Sequence, residues 1–145
     1  MDEEMLMLDN QLCFALYACS KEVTRLYKPF LDELGITYTQ YITMLVLWEK
    51  DNITIKELGE KLFLDSGTLT PLLKKLETMN ILKRKRDTKD ERNVYVELTE
   101  DGKNMKIKAL EIPNKIFCCT GLAAEEVIEL RTKLKSLLQH LRQQQ

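Results

Sequence analysis

Four cysteines, Cys13, Cys19, Cys118 and Cys119, are the most reactive side chains in this 145-residue chain. A thiolate can attack the O–O bond of a peroxide and become a sulfenic acid. A second thiol then condenses with that acid to give a disulfide. A thiol can equally be an inert apolar filler, and on the residues alone that reading stays open for all four. Cys13 and Cys19 stand six apart on one helical segment and point in different directions. Cys19 falls on the apolar stripe of Leu12, Leu16 and Val23, so it is expected in the core. Cys13 shares the other face with Tyr17 and Ser20. A helix cap at Asp9 or Asn10 would place Cys13 in the first turn, where the helix dipole and free N–H groups favour a thiolate. No Lys, Arg or His is near Cys13 in sequence, so phenolic donors from elsewhere would have to supply the rest. Adjacent Cys118 and Cys119 have poor chelating spacing and no His cluster joins them, so neither a metal nor another cofactor is expected. The single histidine, His140, reads as solvated.

A second chemistry is electrostatic. The formal net charge is −1, but residues 1–49 hold eight acids and three bases, while residues 66–92 hold eight bases and four acids. Lys83-Arg84-Lys85-Arg86 is the densest run. A local basic patch on an acidic protein is how phosphate binding can hide under an acidic isoelectric point. The competing description is a solvated charged loop.

The elements that must position these groups are mostly helical. From about Leu8 to Lys28, Leu12, Leu16, Cys19, Val23 and Leu26 recur at steps of three and four, one stripe of a helix that Pro29 should kink or divide. Gly35 is a stop signal. Thr37 or Thr39 caps a second helix that buries Tyr41, Met44, Leu45 and Trp48. Asp51-Asn52 is a turn. Thr54 with Glu57 forms a capping-box pattern for a short helix with Leu58, Leu62 and Ile55 inward. Asp65-Ser66-Gly67 is a break, and a helix with Leu69, Leu72, Leu73 and Leu76 inward follows. Pro71 implies that this helix starts late or has an irregular first turn. After Asn80 the period changes to two, giving strands over 82–86 and 93–98 joined by the polar tip 87–92. Thr99 caps the next helix, and the whole stretch from Thr99 to the end reads as two helices broken near Thr120-Gly121.

Helix, turn, helix and a basic-tipped hairpin is the winged helix-turn-helix order, so the fold class is mainly α (α+β). Ser66, Thr68 and Thr70 let a backbone approach closely and can bond phosphates or base edges, and Lys74 and Lys75 would neutralise phosphates. The hairpin carries Arg84, Arg86, Lys89 and Arg92, and a protruding arginine suits the narrow minor groove. The terminal helical regions, 1–36 and 100–145, hold more Leu and Met than one small core uses. They are expected to make a homodimer, whose two-fold symmetry matches a palindromic operator. The acidic start lacks the features of a secretory signal, and no apolar run can span a bilayer, so a cytoplasmic location with no membrane partner is expected.

The segment Leu62-Phe63-Leu64-Asp65-Ser66-Gly67-Thr68-Leu69-Thr70-Pro71-Leu72-Leu73-Lys74-Lys75-Leu76, with Asp90-Glu91-Arg92 and Leu98-Thr99, resembles the MarR family of winged-helix repressors. Gln11-Leu12-Cys13-Phe14-Ala15-Leu16-Tyr17, Tyr27-Lys28-Pro29 and Thr37-Tyr38-Thr39-Gln40-Tyr41 are similar to its OhrR branch, the organic hydroperoxide sensors. The likeness runs from about Asn10 to about Leu138. It implies one MarR-type domain over 1–145, with 37–99 as its DNA-binding region. It implies Cys13 as the peroxide-reactive thiol, and Tyr27 and Tyr38, with Tyr17 as a further candidate, as phenols that hydrogen-bond that sulfur from the partner subunit. Cys118 matches the resolving cysteine of the two-cysteine type, with Cys119 its alternative. Arg92 matches the minor-groove arginine and Asp90 its brace. Thr39 departs from the proline common at that position.

The implied function is a repressor of double-stranded operator DNA that releases it when Cys13 is oxidised, first to the sulfenic acid and then to a disulfide, between subunits, with Cys118. A thiol lined by Phe14, Leu16 and tyrosines would favour peroxides with apolar tails. Two rivals are a MarR-type repressor released by a small phenolic or aromatic effector, and a thiol peroxidase. The second would need continuous turnover, for which the chain offers no Cys-x-x-Cys.

Overall fold

A computed structural model describes residues 2–145. The chain divides into two compact units, Met1–Ile112 and Pro113–Gln145. In the first, two 3₁₀ turns (Glu3–Leu6 and Leu8–Asn10) lead into helix α1 (Leu12–Asp32). Gln11 stands at its N-cap, without a side-chain capping bond, in place of the expected Asp9 or Asn10. The Gln11 amide instead donates to the carbonyls of Met5 and Met7, and Asn10 donates to that of Glu4, so these side chains staple the 3₁₀ turns together. Pro29 neither divides nor ends α1. It sits in the last turn, where only one backbone bond is forfeited. Gly35 adopts a left-handed φ of 71° and ends the segment.

Helix α2 (Tyr38–Glu49) starts from a full capping box between Thr37 and Gln40. It buries Tyr41, Met44 and Leu47, while Leu45 is exposed. Three-residue spacing from Met44 therefore selects Leu47 over the expected Leu45. Trp48 is half-buried, and its Nε1–H donates to the Gly102 carbonyl at 2.9 Å. A two-residue strand β1 (Ile53–Thr54), too short to show a period in sequence, precedes α3 (Ile55–Leu62). Thr54 caps α3 by accepting the Glu57 N–H.

Helix α4 (Ser66–Thr78) begins directly after Asp65, so the expected break is in fact its N-cap. The Asp65 carboxylate accepts the Thr68 N–H at 2.7 Å, and that bond holds its pKa below the ordinary carboxylate value. Pro71 lies inside the helix, which neither starts late nor breaks. Leu69, Leu72, Leu73 and Leu76 are buried as their spacing predicts. Strands β2 (Leu82–Arg86) and β3 (Val94–Leu98) pair antiparallel from Leu82 with Leu98 to Arg86 with Val94, and β1 adds to the far edge of β3. Asp51 ties that edge by accepting the Leu98 N–H at 2.9 Å.

Thr99 caps α5 (Glu100–Ala109), accepting the Gly102 N–H and donating to the carbonyls of Asn80 and Ile81. Gly102 is buried where α5 crosses the start of β2, and a Cβ there would collide with the Ile81 carbonyl oxygen. Gly102→Ala is expected to destabilise the fold by about 1–3 kcal/mol, read as a lower midpoint in urea at unchanged slope.

The C-terminal part holds three helices after Thr99, not two. Helix α6 (Ile112–Thr120) separates α5 from α7 (Ala124–Gln143), and Gly121, at φ 70°, ends it. Helix α7 buries no residue, and Ile128, Leu130, Leu134, Leu138 and Leu141 are exposed along it. An apolar stripe of this kind is more than scattered surface residues usually make. Among the described residues no helix is long and apolar enough to cross a membrane.

Candidate DNA-reading surface and thiol site

Helix α4 turns its inner leucines to the core, and so Ser66, Thr68, Thr70, Lys74 and Lys75 all face solvent. The Thr70 hydroxyl donates to the Ser66 carbonyl, which leaves its oxygen lone pairs outward. The wing tip is shaped by two carboxylates. Asp87 accepts the Lys89 N–H, and Asp90 accepts the N–H of Arg92. Asp90 also accepts Nε and Nη2 of the Arg92 guanidinium at 3.1 and 3.3 Å. That side-chain bond holds the Asp90 carboxyl below its usual range. The Arg92 side chain is 90% exposed, so it is a charge held at a fixed angle but not covered. Arg86 is exposed, and its Nη1 donates to the Glu91 carbonyl. Lys89 is exposed at the tip.

Arg84 departs from the sequence expectation. Its side chain is only 26% exposed and is clamped by Glu77 at the end of α4. Glu77 accepts the Arg84 backbone N–H at 3.0 Å, Nε at 3.5 Å and Nη2 at 3.1 Å. Arg84 therefore ties the helix to the hairpin rather than offering its charge outward. Glu77 was not singled out in sequence, and the signal that could have found it is an acid standing at the end of a basic helix.

The thiols are all free and exposed within the chain. Cys13 is the second residue of α1, in the first turn as expected, although the cap differs. Cys19 is exposed, against the expectation of a core thiol, because the stripe it shares is only partly covered: Leu12 is 66% exposed, and Leu16, Val23 and Leu26 are half-buried. Cys118 and Cys119 stand exposed near the end of α6, in the second unit. Tyr17 is exposed, with the Lys21 ammonium 5.1 Å from its ring centroid.

Tyr27 and Tyr38 come together, with ring centroids 4.9 Å apart. Tyr41 completes a trio at 5.5 Å from Tyr27 and 6.4 Å from Tyr38. The role of Tyr41 in this cluster was not legible, since its position read only as a core position. Tyr27 is fourteen residues beyond Cys13 on the same helix, about 21 Å at 1.5 Å per residue. The structure does not bring these phenols to the sulfur of their own chain. Desolvation, helped by the neighbouring phenols Tyr38 and Tyr41, pushes the Tyr27 pKa up to about 12, and burial raises Tyr38 and Tyr41 too. These groups therefore stay neutral donors at physiological pH. The raised value also links to stability. The contribution is whole below the ordinary phenol value of 10.0 and is lost as pH climbs through about 12. Tyrosinate absorbance in an alkaline titration should show a late step that Tyr27→Phe removes.

Beside Tyr38 lies an open cleft of about 430 Å³ whose lining includes Lys21, Arg25, Lys28, Leu31, Asp32, Ile36 and Tyr38. Among the described residues no group of three or more His, Cys, Asp or Glu could hold a metal ion.

Residues 25–110 match the family described as transcriptional regulator SarA/Rot, a MarR-like winged-helix family. The chain belongs to this family. Over 136 residues it is 50% identical to the organic hydroperoxide resistance transcriptional regulator of Bacillus subtilis (strain 168), covering 94% of this chain and 92% of that one. Reduced AbfR of Staphylococcus epidermidis, solved bound to DNA, shares 35% identity and a TM-score of 0.80, covering 97% of this chain and 99% of that one. Disulfide-formed AbfR is 36% identical, with coverages of 95% and 97%, but its TM-score is 0.66.

Proposed function

We propose that the chain is a homodimeric, DNA-binding transcriptional repressor that senses organic hydroperoxides through Cys13 and then releases its operator. One observation carries the sensing half. Cys13 is a free, exposed thiol in the first turn of a helix, and the neutral phenols suited to it stand about 21 Å away in the same chain. Such halves make a site only when a second chain supplies Tyr27 and Tyr38. The relatives' names and states support the reading: a hydroperoxide resistance regulator, and AbfR solved reduced on DNA and in a disulfide form.

The roles follow. Phenolic O–H groups donate to the Cys13 thiolate, which attacks the distal peroxide oxygen and leaves the alcohol or water. The sulfenic acid condenses with Cys118 of the partner subunit, losing water. Ser66, Thr68, Thr70, Lys74 and Lys75 meet the major groove and its phosphates, and Arg86, Lys89 and Arg92, braced by Asp90, meet the flanking minor groove. Residues 37–99 read DNA, and residues 1–36 and 100–145 pair the subunits within one MarR-type domain. The protein acts in the cytoplasm, turns over no substrate, and requires no cofactor.

The test is an electrophoretic shift on palindromic DNA before and after stoichiometric cumene hydroperoxide. Release of DNA by the reduced protein's oxidation supports the reading, and unchanged retention refutes it. Non-reducing gels assign the resolving thiol. Cys118→Ser is expected to stop at the sulfenic acid, and Cys119→Ser to form the covalent dimer as wild type does. Peroxide consumption in molar excess over protein would show an enzyme instead.

A further inference from the structure

Residues 2–10 are an ordered segment with an unusual surface. The amides of Gln11 and Asn10 hold its two 3₁₀ turns, yet Met5, Leu6, Met7 and Leu8 are 73%, 87%, 53% and 57% exposed. Four consecutive apolar side chains fixed outward call for a covering surface. The same segment is acidic. The first twenty residues hold Asp2, Glu3, Glu4 and Asp9 and no base. The cleft beside Tyr38 has the opposite character, with Lys21, Arg25 and Lys28 along one face of α1 and Leu31, Ile36 and Tyr38 as apolar floor. Its cations are only locally paired, Arg25 with Glu22 and Lys28 with Asp32, in exposed contacts of 3.5 and 3.0 Å.

We propose that the N-terminal segment of each subunit docks in its partner's Lys21–Arg25–Lys28 cleft, Met5–Leu8 on the apolar floor and Glu3 and Glu4 on the cations. The occupant is a second copy, and the placement rests on the reading that Cys13 meets the partner's Tyr27 and Tyr38. Because Tyr38 itself lines the cleft and Gln11 directly precedes α1, delivering Cys13 to Tyr38 delivers residues 2–10 to that cleft. The segment is not placed to serve its own chain in this way, since Lys21, Arg25 and Lys28 lie eight to fifteen residues beyond Cys13 along α1. Docked, it roofs the thiol site and limits the approach of bulky reagents.

The experiment uses the full-length reduced dimer after subunit exchange between isotope-labelled and unlabelled protein. A water-soluble carbodiimide should join peptides holding Glu3 or Glu4 to peptides holding Lys21 or Lys28, in mixed-isotope form. A sample that is dimeric by light scattering but gives only same-chain cross-links, or none, overturns the docking. Glu3→Lys/Glu4→Lys should abolish these cross-links and raise the rate of Cys13 alkylation by a bulky maleimide several-fold. Adding Arg25→Glu/Lys28→Glu should restore the slow rate. An unchanged rate in the first variant overturns the proposal. Tyr27→Phe separates the two levels. If it still slows Cys13 oxidation while the cross-links are missing, the docking alone fails. If Cys13 oxidises at the wild-type rate without Tyr27, the thiol–phenol reading beneath it fails.

Discussion

Cys13→Ser protein is expected to bind its operator as tightly as wild type and to stay bound after stoichiometric cumene hydroperoxide. Wild type under the same treatment is expected to lose about 5- to 150-fold in affinity, the range in which coupling between two sites usually falls. Serine keeps the size and polarity of the position but cannot form a sulfenic acid or a disulfide. Cys13 is exposed and far from α4 in sequence, so its replacement leaves the DNA-reading surface intact. A Cys13→Ser protein that still releases DNA with peroxide would move the sensor to another thiol, and release by a small phenol instead would make Cys13 incidental. Titration of free and bound protein by fluorescence anisotropy, oxidised and reduced, reads the outcome.

Arg92→Ala is expected to weaken operator binding by about 1–3 kcal/mol, roughly 5- to 150-fold. The side chain is 90% exposed but oriented by two bonds to Asp90, so its ordering entropy is already spent before DNA arrives. The loss should fall on operator affinity and leave stability within about 0.5 kcal/mol, because an exposed ion pair contributes little to the fold. An unchanged dissociation constant would remove Arg92 from the interface.

Much of this was written plainly in the chain. Leu69, Leu72, Leu73 and Leu76 announce α4 and its buried side, and the alternation of Val94, Val96 and Leu98 announces β3. Thr37, Thr54 and Thr99 mark helix starts because a hydroxyl satisfies N–H groups that no carbonyl reaches. Illegible features were those set by tertiary contact. Strand β1 exists because β3 offers an edge and Asp51 fixes it. Leu47 rather than Leu45 is inward because the facing elements choose the rotation of α2. Pro29 read as a kink or division and Pro71 as a late or irregular start, yet each helix runs through its proline and absorbs one missing bond. For the candidate site, residue types singled out Cys13 and the basic wing as candidates, but could not show that Arg84 spends its charge on Glu77, or that Cys19 is exposed. Periodicity tells which residues share a side, not what that side meets.

The bond between Glu77 and Arg84 has a consequence for how a signal reaches the genome. It ties α4 to the hairpin, so one head acts as a lever with two coupled prongs. Damage at a distant sulfur then has no need to loosen any single prong. Changing the span between two such levers is enough, because a palindrome tolerates two well-formed heads only at its own helical pitch.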